Sequence, residues 1–192
     1  MASTPPKISN LTMLLQFNST TGNPTLLRCP PPALSRLQHL NIAEFVTLFT
    51  PCVPHPPGTT LARNMDPFEP LGRAFQRKVR HLPYRLDNGM TETHRDFLSA
   101  SGAIVLVICA PSNVLAFSPK AFEKQLEFCR DVVEEAEGGK DMEGVPVMLL
   151  LVTDGAAKTE HVEGVDEFPA VLTLDEYSPP ALANAARLIL GK

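Results

Sequence analysis

From residue 44 onward, apolar residues alternate between continuous short runs and helically spaced stripes. Glu44–Thr50 is a run of β-formers ended by Pro51. Val79–Tyr84 is a second such run. Ala103–Cys109 and Val145–Val152 are unbroken apolar stretches, and Ala170–Leu174 is a fifth strand. Between them, Asp66-Pro67 opens a helix through Phe68, Leu71 and Phe75, and Thr91 caps another through Phe97 and Leu98. Ser118-Pro119 caps the longest helix, with Phe122, Leu126, Cys129, Val133 and Ala136 as its inward stripe and Gly138-Gly139 as its stop. Ser178-Pro179 caps the last helix, with Leu182, Ala186 and Ile189 inward and Gly191 past its end.

A strand apolar on both faces must be covered on both faces, and a parallel sheet between two helix layers does this. The alternation therefore predicts an α/β fold: a doubly wound, mostly parallel five-stranded sheet, flavodoxin-like, in the order 2-1-3-4-5. The Gly155–Pro169 connection is rich in acids and glycine, so its helix is short or missing. Twelve of the 19 prolines fall in the first 70 residues, which excludes long helices and central strands there. Residues 1–43 read as an extended, loop-rich lead-in, with a short strand at Leu11–Phe17 and a helical turn or two at Leu34–Leu40. Residues 44–192 read as a single α/β domain.

The 192 residues suffice for one core, and a net charge of −4 gives no general pull toward nucleic acid or anionic lipid. The charge is uneven: residues 118–176 hold fifteen Asp or Glu against five Lys or Arg, and residues 1–117 hold six against ten. The plain reading is an acidic solvated helix face with an acidic loop. Cys29, Cys52, Cys109 and Cys129 form no CxxC pair, and the N-terminus lacks a signal-peptide pattern. With no run long enough to span a membrane, the expectation is a reducing, cytoplasmic setting.

In open α/β sheets, ligands collect at the carboxyl ends of strands. Those tips are Thr50–His55, Tyr84–Asn88, Cys109–Asn113, Thr153-Asp154 and Asp175–Tyr177. A phosphate loop needs GxxxxGK[ST]; Gly72 followed by Lys78 lacks the second glycine and the hydroxyl, and GxGxxG is absent. No cofactor is implied. The histidines show no metal-ligand spacing, so no metal is implied either. The candidate ligand-binding residues are His94, Cys109, Ser112 and Asp154. Cys109 is a candidate nucleophile beside Ser112 if His94 or His81 supplies a base, although a thiol closing a Val/Ile/Leu strand is more often packing. Asp154, with Asp175 or Glu176 at the next tip, could form an acid–base pair, although Asp-Gly after a strand is also an ordinary turn.

Asp66-Pro67-Phe68-Glu69-Pro70-Leu71-Gly72-Arg73-Ala74, Val79-Arg80-His81-Leu82-Pro83-Tyr84, Gly89-Met90-Thr91-Glu92-Thr93-His94, Phe168-Pro169-Ala170-Val171 and Tyr177-Ser178-Pro179-Pro180-Ala181-Leu182 follow one another along the chain. In this order they resemble the C-terminal α/β domain of glycoside hydrolase family 3 β-N-acetylglucosaminidases of the fungal type. The resemblance implies a domain that packs beside a TIM barrel, the barrel carrying the nucleophilic Asp and the acid–base pair within a Lys-His-Phe-Pro-Gly-His-Gly pattern. No such stretch occurs here, and a barrel cannot fit in this length. Two functions follow as expectations. One is a non-catalytic accessory or interaction domain that binds a protein partner, such as a barrel-bearing glycosidase, or an amino-sugar ligand. The other is a small hydrolase-like enzyme or small-molecule-binding protein using the strand tips.

Overall fold

The computed structural model describes residues 21–139 and 142–191. The expected strand at Leu11–Phe17 lies outside them. Among the described residues, six strands form one mixed sheet: β1 (Thr25–Arg28), β2 (Val46–Pro51), β3 (Val79–Tyr84), β4 (Ala103–Cys109), β5 (Val147–Val152) and β6 (Val171–Leu174). Their order is β1-β6-β5-β4-β2-β3. The five strands after the lead-in are parallel and neighbour one another as the periodicity predicts.

The sheet nevertheless departs from the five-stranded flavodoxin-like order, because β1 adds an antiparallel edge beside β6. Four residues between Pro24 and Cys29-Pro30 are too few to show a period, yet an edge strand needs few. Long-range anchors hold it. The Arg28 guanidinium donates to the carbonyls of Phe168 (2.8 Å) and Val165 (2.5 Å) and meets Asp166 at 3.3 Å. At the other end, the Gly22 carbonyl accepts from the Asp175 N–H at 3.0 Å. Gly22 has φ +83°, and a Cβ there would lie 2.4 Å from the Ala181 Cβ, so no other residue fits without displacement.

Among the described residues, seven α-helices cover the sheet: α1 (Pro31–Gln38), α2 (Glu69–Ala74), α3 (Glu92–Leu98), α4 (Ser112–Phe117), α5 (Ala121–Gly138), α6 (Lys158–Glu163) and α7 (Pro179–Leu190). Strand side chains alternate between faces. Val105, Val107 and Cys109 of β4 join Leu37, Leu71, Leu182 and Ile189 of α1, α2 and α7 in one core. Ile104, Leu106 and Ile108 join Leu98, Phe122, Leu126, Phe128 and Val132 of α3 and α5 in the other. Each fully buried aliphatic side chain contributes about 1.5–3 kcal/mol. The α5 stripe uses Val132, and Val133 is only partly covered. Gly191 ends α7 in the left-handed conformation, as a glycine beyond the last turn predicts. No helix among the described residues is long and apolar enough to cross a membrane.

Candidate functional site

The sheet has one topological switch point, between β2 and β4, because the chain leaves β2 toward β3 on one side and leaves β4 toward β5 on the other. Pairing of β2 with β4 runs from Val46↔Ala103 to Phe49↔Leu106 and stops there. Pairing of β4 with β5 continues to Cys109↔Val152. Above Leu106, β2 and β4 therefore part, and the gap between them is where a ligand would enter a fold of this kind.

Backbone geometry decides which groups face that gap. The N–H groups of Ile104 and Ala110 donate toward β5, to the carbonyls of Pro146 and Val152. Main-chain groups alternate sides along a strand, so those of Val107 and Cys109 point toward the departing β2. Left bare, these polar groups would be the natural contacts for a ligand. Here side chains of the protein take them. The Tyr84 hydroxyl donates to the Val107 carbonyl at 2.7 Å. Gln125 of α5 accepts from the Cys109 N–H at 2.6 Å and donates to the Cys109 carbonyl at 2.8 Å, with a further bond to the Ala121 carbonyl at 2.9 Å. Gln125 is fully buried, and Tyr84 stacks on Phe128 at 3.8 Å between ring centroids.

The mouth of the gap is closed as well. The Tyr177 hydroxyl, just beyond β6, donates to the Pro54 carbonyl in the loop after β2 at 2.8 Å. It accepts from the Asn113 amide at 2.7 Å, and Asn113 also reaches the His55 carbonyl at 3.4 Å. The Tyr177 ring stacks on Phe68 at 5.8 Å. Burial pushes the Tyr177 hydroxyl above its usual range, so it stays a neutral donor.

The four residues singled out in the sequence fall in different surroundings. Cys109 ends β4 fully buried in the core below α7, and burial pushes its thiol well above the usual range, with the Asp154 carboxylate adding to the shift. Such a thiol holds its proton and is a poor nucleophile. His94 lies in the opposite core, edge-on to Phe49 and Phe128. Its Nδ1 accepts from the Thr91 N–H at 3.1 Å, capping α3. Burial lowers its pKa, so it serves as a neutral cap. Ser112 and Asp154 do come together across the tips of β4 and β5. One carboxylate oxygen of Asp154 accepts from the Ser112 hydroxyl at 2.7 Å and from the Ser112 N–H at 2.8 Å. Ser112 is exposed and Asp154 half-buried.

Nearby, the Thr153 hydroxyl meets His161 Nδ1 at 2.8 Å, and His161 stacks on Phe122 at 4.2 Å. Burial lowers the His161 pKa. Lys158 bonds Asp175, holding that carboxyl below its usual range. Tyr84, Asn113, Gln125 and Tyr177 were not among the sequence candidates. Gln125 carried a readable signal: with Phe122, Leu126 and Cys129 it lies on the stripe of α5, and a polar residue on an apolar stripe needs a buried partner.

No family model matches this sequence, and no curated protein matches it. Among solved structures, one neighbour is a fungal multi-domain glycoside hydrolase family 3 β-N-acetylglucosaminidase described for its GCN5-related glucosamine N-acetyltransferase region. It aligns over 88% of this chain and 16% of its own, with 13% identity and a TM-score of 0.55. Another is a glycoside hydrolase family 3 β-N-acetylglucosaminidase from Paenibacillus sp. str. FPU-7, aligned over 100% of this chain and 32% of its own, with 14% identity and a TM-score of 0.50. The chain thus corresponds to a minor part of each of these larger proteins, and the likeness is one of fold.

Proposed function

We propose that the chain acts as a non-catalytic accessory or interaction domain related to the C-terminal α/β domain of family 3 β-N-acetylglucosaminidases, binding a protein partner or a sugar-like ligand. One observation carries the reading. At the switch point, the main-chain groups that would greet a substrate are already bonded to Tyr84 and Gln125, and Tyr177, Asn113 and Pro54 close the mouth above them. A fold likeness gives architecture and not activity, so the kinship by itself adds no chemistry. The described cysteines are free thiols, which supports a reducing, cytoplasmic setting.

Two measurements test this. The chain alone is incubated with a chromogenic β-N-acetylglucosaminide, and hydrolysis above the protein-free rate would reject a non-catalytic role. N-acetylglucosamine and its oligomers are titrated while amide chemical shifts are followed. Shifts around Ser112, Asp154 and Asp175 support the sugar ligand, and their absence at millimolar sugar leaves the protein partner.

A second reading, a small hydrolase-like or small-molecule-binding protein, draws on the exposed Ser112 hydroxyl directed at the Asp154 carboxylate. It expects any activity found to vanish in Ser112→Ala, whereas unchanged turnover would remove it.

A further inference from the structure

The far edge of the sheet, opposite β1, is β3. Each of its residues from Val79 to Tyr84 is in register with β2, and no strand lies beyond it among the described residues. The carbonyls of Lys78 and Tyr84 accept from Val46 and Cys52 on the β2 side. By alternation, the main-chain groups of Val79, His81 and Pro83 point outward. Pro83 has no N–H to offer, so the edge is blunted at its carboxyl end. Val79 and His81 remain with outward N–H and C=O groups.

The side chains around this open stretch have a definite character. On one face, the Arg80 guanidinium lies 4.0 Å from the Phe45 ring centroid and 5.5 Å from that of Phe97, and the Lys78 ammonium lies 5.5 Å from Phe45. Arg80 also donates to the Ala100 carbonyl at 3.3 Å, and Arg77 donates to the Leu40 carbonyl. Among the described residues, none of these three cations has a carboxylate within ion-pair distance. The nearby Glu44 carboxylate is held by Arg36. At the amino end of β3, toward the core that holds Leu40 and Leu190, a dent of about 510 Å³ is lined by these two and Ile42 with Gln38, Gln76, Arg77 and Lys78. Ile42 there is 87% exposed.

We propose that the β3 edge is a docking site for an extended segment of a partner protein in which acidic and apolar residues alternate. Such a segment adds a strand by bonding Val79 and His81, and its side chains then fall alternately on the two faces. Carboxylates on one face meet Lys78 and Arg80, whose present partners are rings and a carbonyl. Apolar side chains on the other fill the dent beside Ile42. A second copy of this chain is the poorer occupant, since it would bring the same cations to the same edge. The proposal deepens the interaction-domain reading and rests on it for the premise that the chain binds a protein.

The test uses the full chain and a soluble capped heptapeptide of alternating Glu and Val, with amide chemical shifts and hydrogen exchange as readouts. Binding is expected to shift and protect the Val79 and His81 amides, to weaken with added salt, and to fall about tenfold or more in Lys78→Glu/Arg80→Glu. Thermal melts verify that the variant folds. A Lys-Val heptapeptide, which leaves the protein untouched, is expected not to bind. Failure of the Glu-Val peptide to move these amides at millimolar concentration overturns the proposal. So does equal binding by a version N-methylated on alternate residues, which cannot add as a strand. Shifts confined to another surface would overturn the edge assignment and keep the interaction role. Sedimentation showing a dimer abolished by Lys78→Glu/Arg80→Glu would assign the edge to a second copy instead.

Discussion

Gln125→Leu isolates the contribution of the seal at the switch point. Leucine matches glutamine in volume and suits a helix, so the change alters hydrogen bonding more than packing. It strips the partner from two buried main-chain groups, the N–H and the C=O of Cys109, while the Ala121 carbonyl keeps its place in the helix. An orphaned buried polar group costs about 1–3 kcal/mol, and the added leucine surface returns a fraction. A loss of roughly 2–5 kcal/mol is expected, or about 5–15 °C in Tm for a chain of this size. Gln125→Glu refines the test. A carboxylate can accept from the Cys109 N–H but cannot donate to its carbonyl, whereas the protonated acid can do both. Folding therefore raises the pKa of the introduced carboxyl, and its stabilising form is present at low pH and lost as pH rises through the folded value. Urea midpoints at about pH 5 and pH 7.5 should show the Gln125→Glu variant recovering toward the parent at the lower value. If Gln125→Leu unfolds within about 1 kcal/mol of the parent, or Gln125→Glu shows no such recovery, the seal is not what satisfies this gap.

Tyr177→Phe keeps the stack on Phe68 and removes the hydroxyl between Pro54 and Asn113, for an expected loss of about 1–2 kcal/mol by urea denaturation. A loss below about 0.5 kcal/mol would mean the mouth is not held closed by this residue. Burial lowers the pKa of both His94 and His161, so their stabilising neutral forms prevail above the unfolded value and are lost as pH falls toward the folded ones. Urea midpoints should decline below about pH 6.5, and the double variant His94→Gln/His161→Gln should flatten that decline. Brief alkylation of the native protein should label the exposed Cys52 first and leave Cys109 and Cys129 unmodified until urea unfolds the chain. Rapid native labelling of Cys109, read by peptide mass mapping, would contradict its burial.

The five parallel strands were legible because continuous runs such as Ala103–Cys109 admit few environments other than a sheet covered on both sides. β1 was not, because four residues between prolines show no period, and its place depends on Arg28 reaching Val165 and Phe168 far along the chain. α4 was missed for a related reason: its six residues contribute a single buried side chain, Val114. At the site, residue numbers alone could place Ser112 and Asp154 at neighbouring tips, and the structure joins them. The roles of Tyr84, Gln125 and Tyr177 could not be read the same way. They answer a need created by where β2 stops following β4, and that splay is set by the whole sheet. His94 entered as a possible base for Cys109, and residue type alone does not reveal that its place in the first turn of α3 makes it a buried cap.

The pairing of β1 with β6 joins residues 148 positions apart, Thr25 with Thr173, and the same corner ties Thr21 to Asn184 and Gly22 to Asp175. On a ribosome, Leu26 and its neighbours must therefore wait for well over a hundred further residues before their counterparts are made. The central strands can collapse as they emerge, while β1 joins the sheet last. Until it does, the outer border of β6 stands uncovered, so the domain is most prone to mispairing in the interval between the synthesis of β6 and the docking of β1.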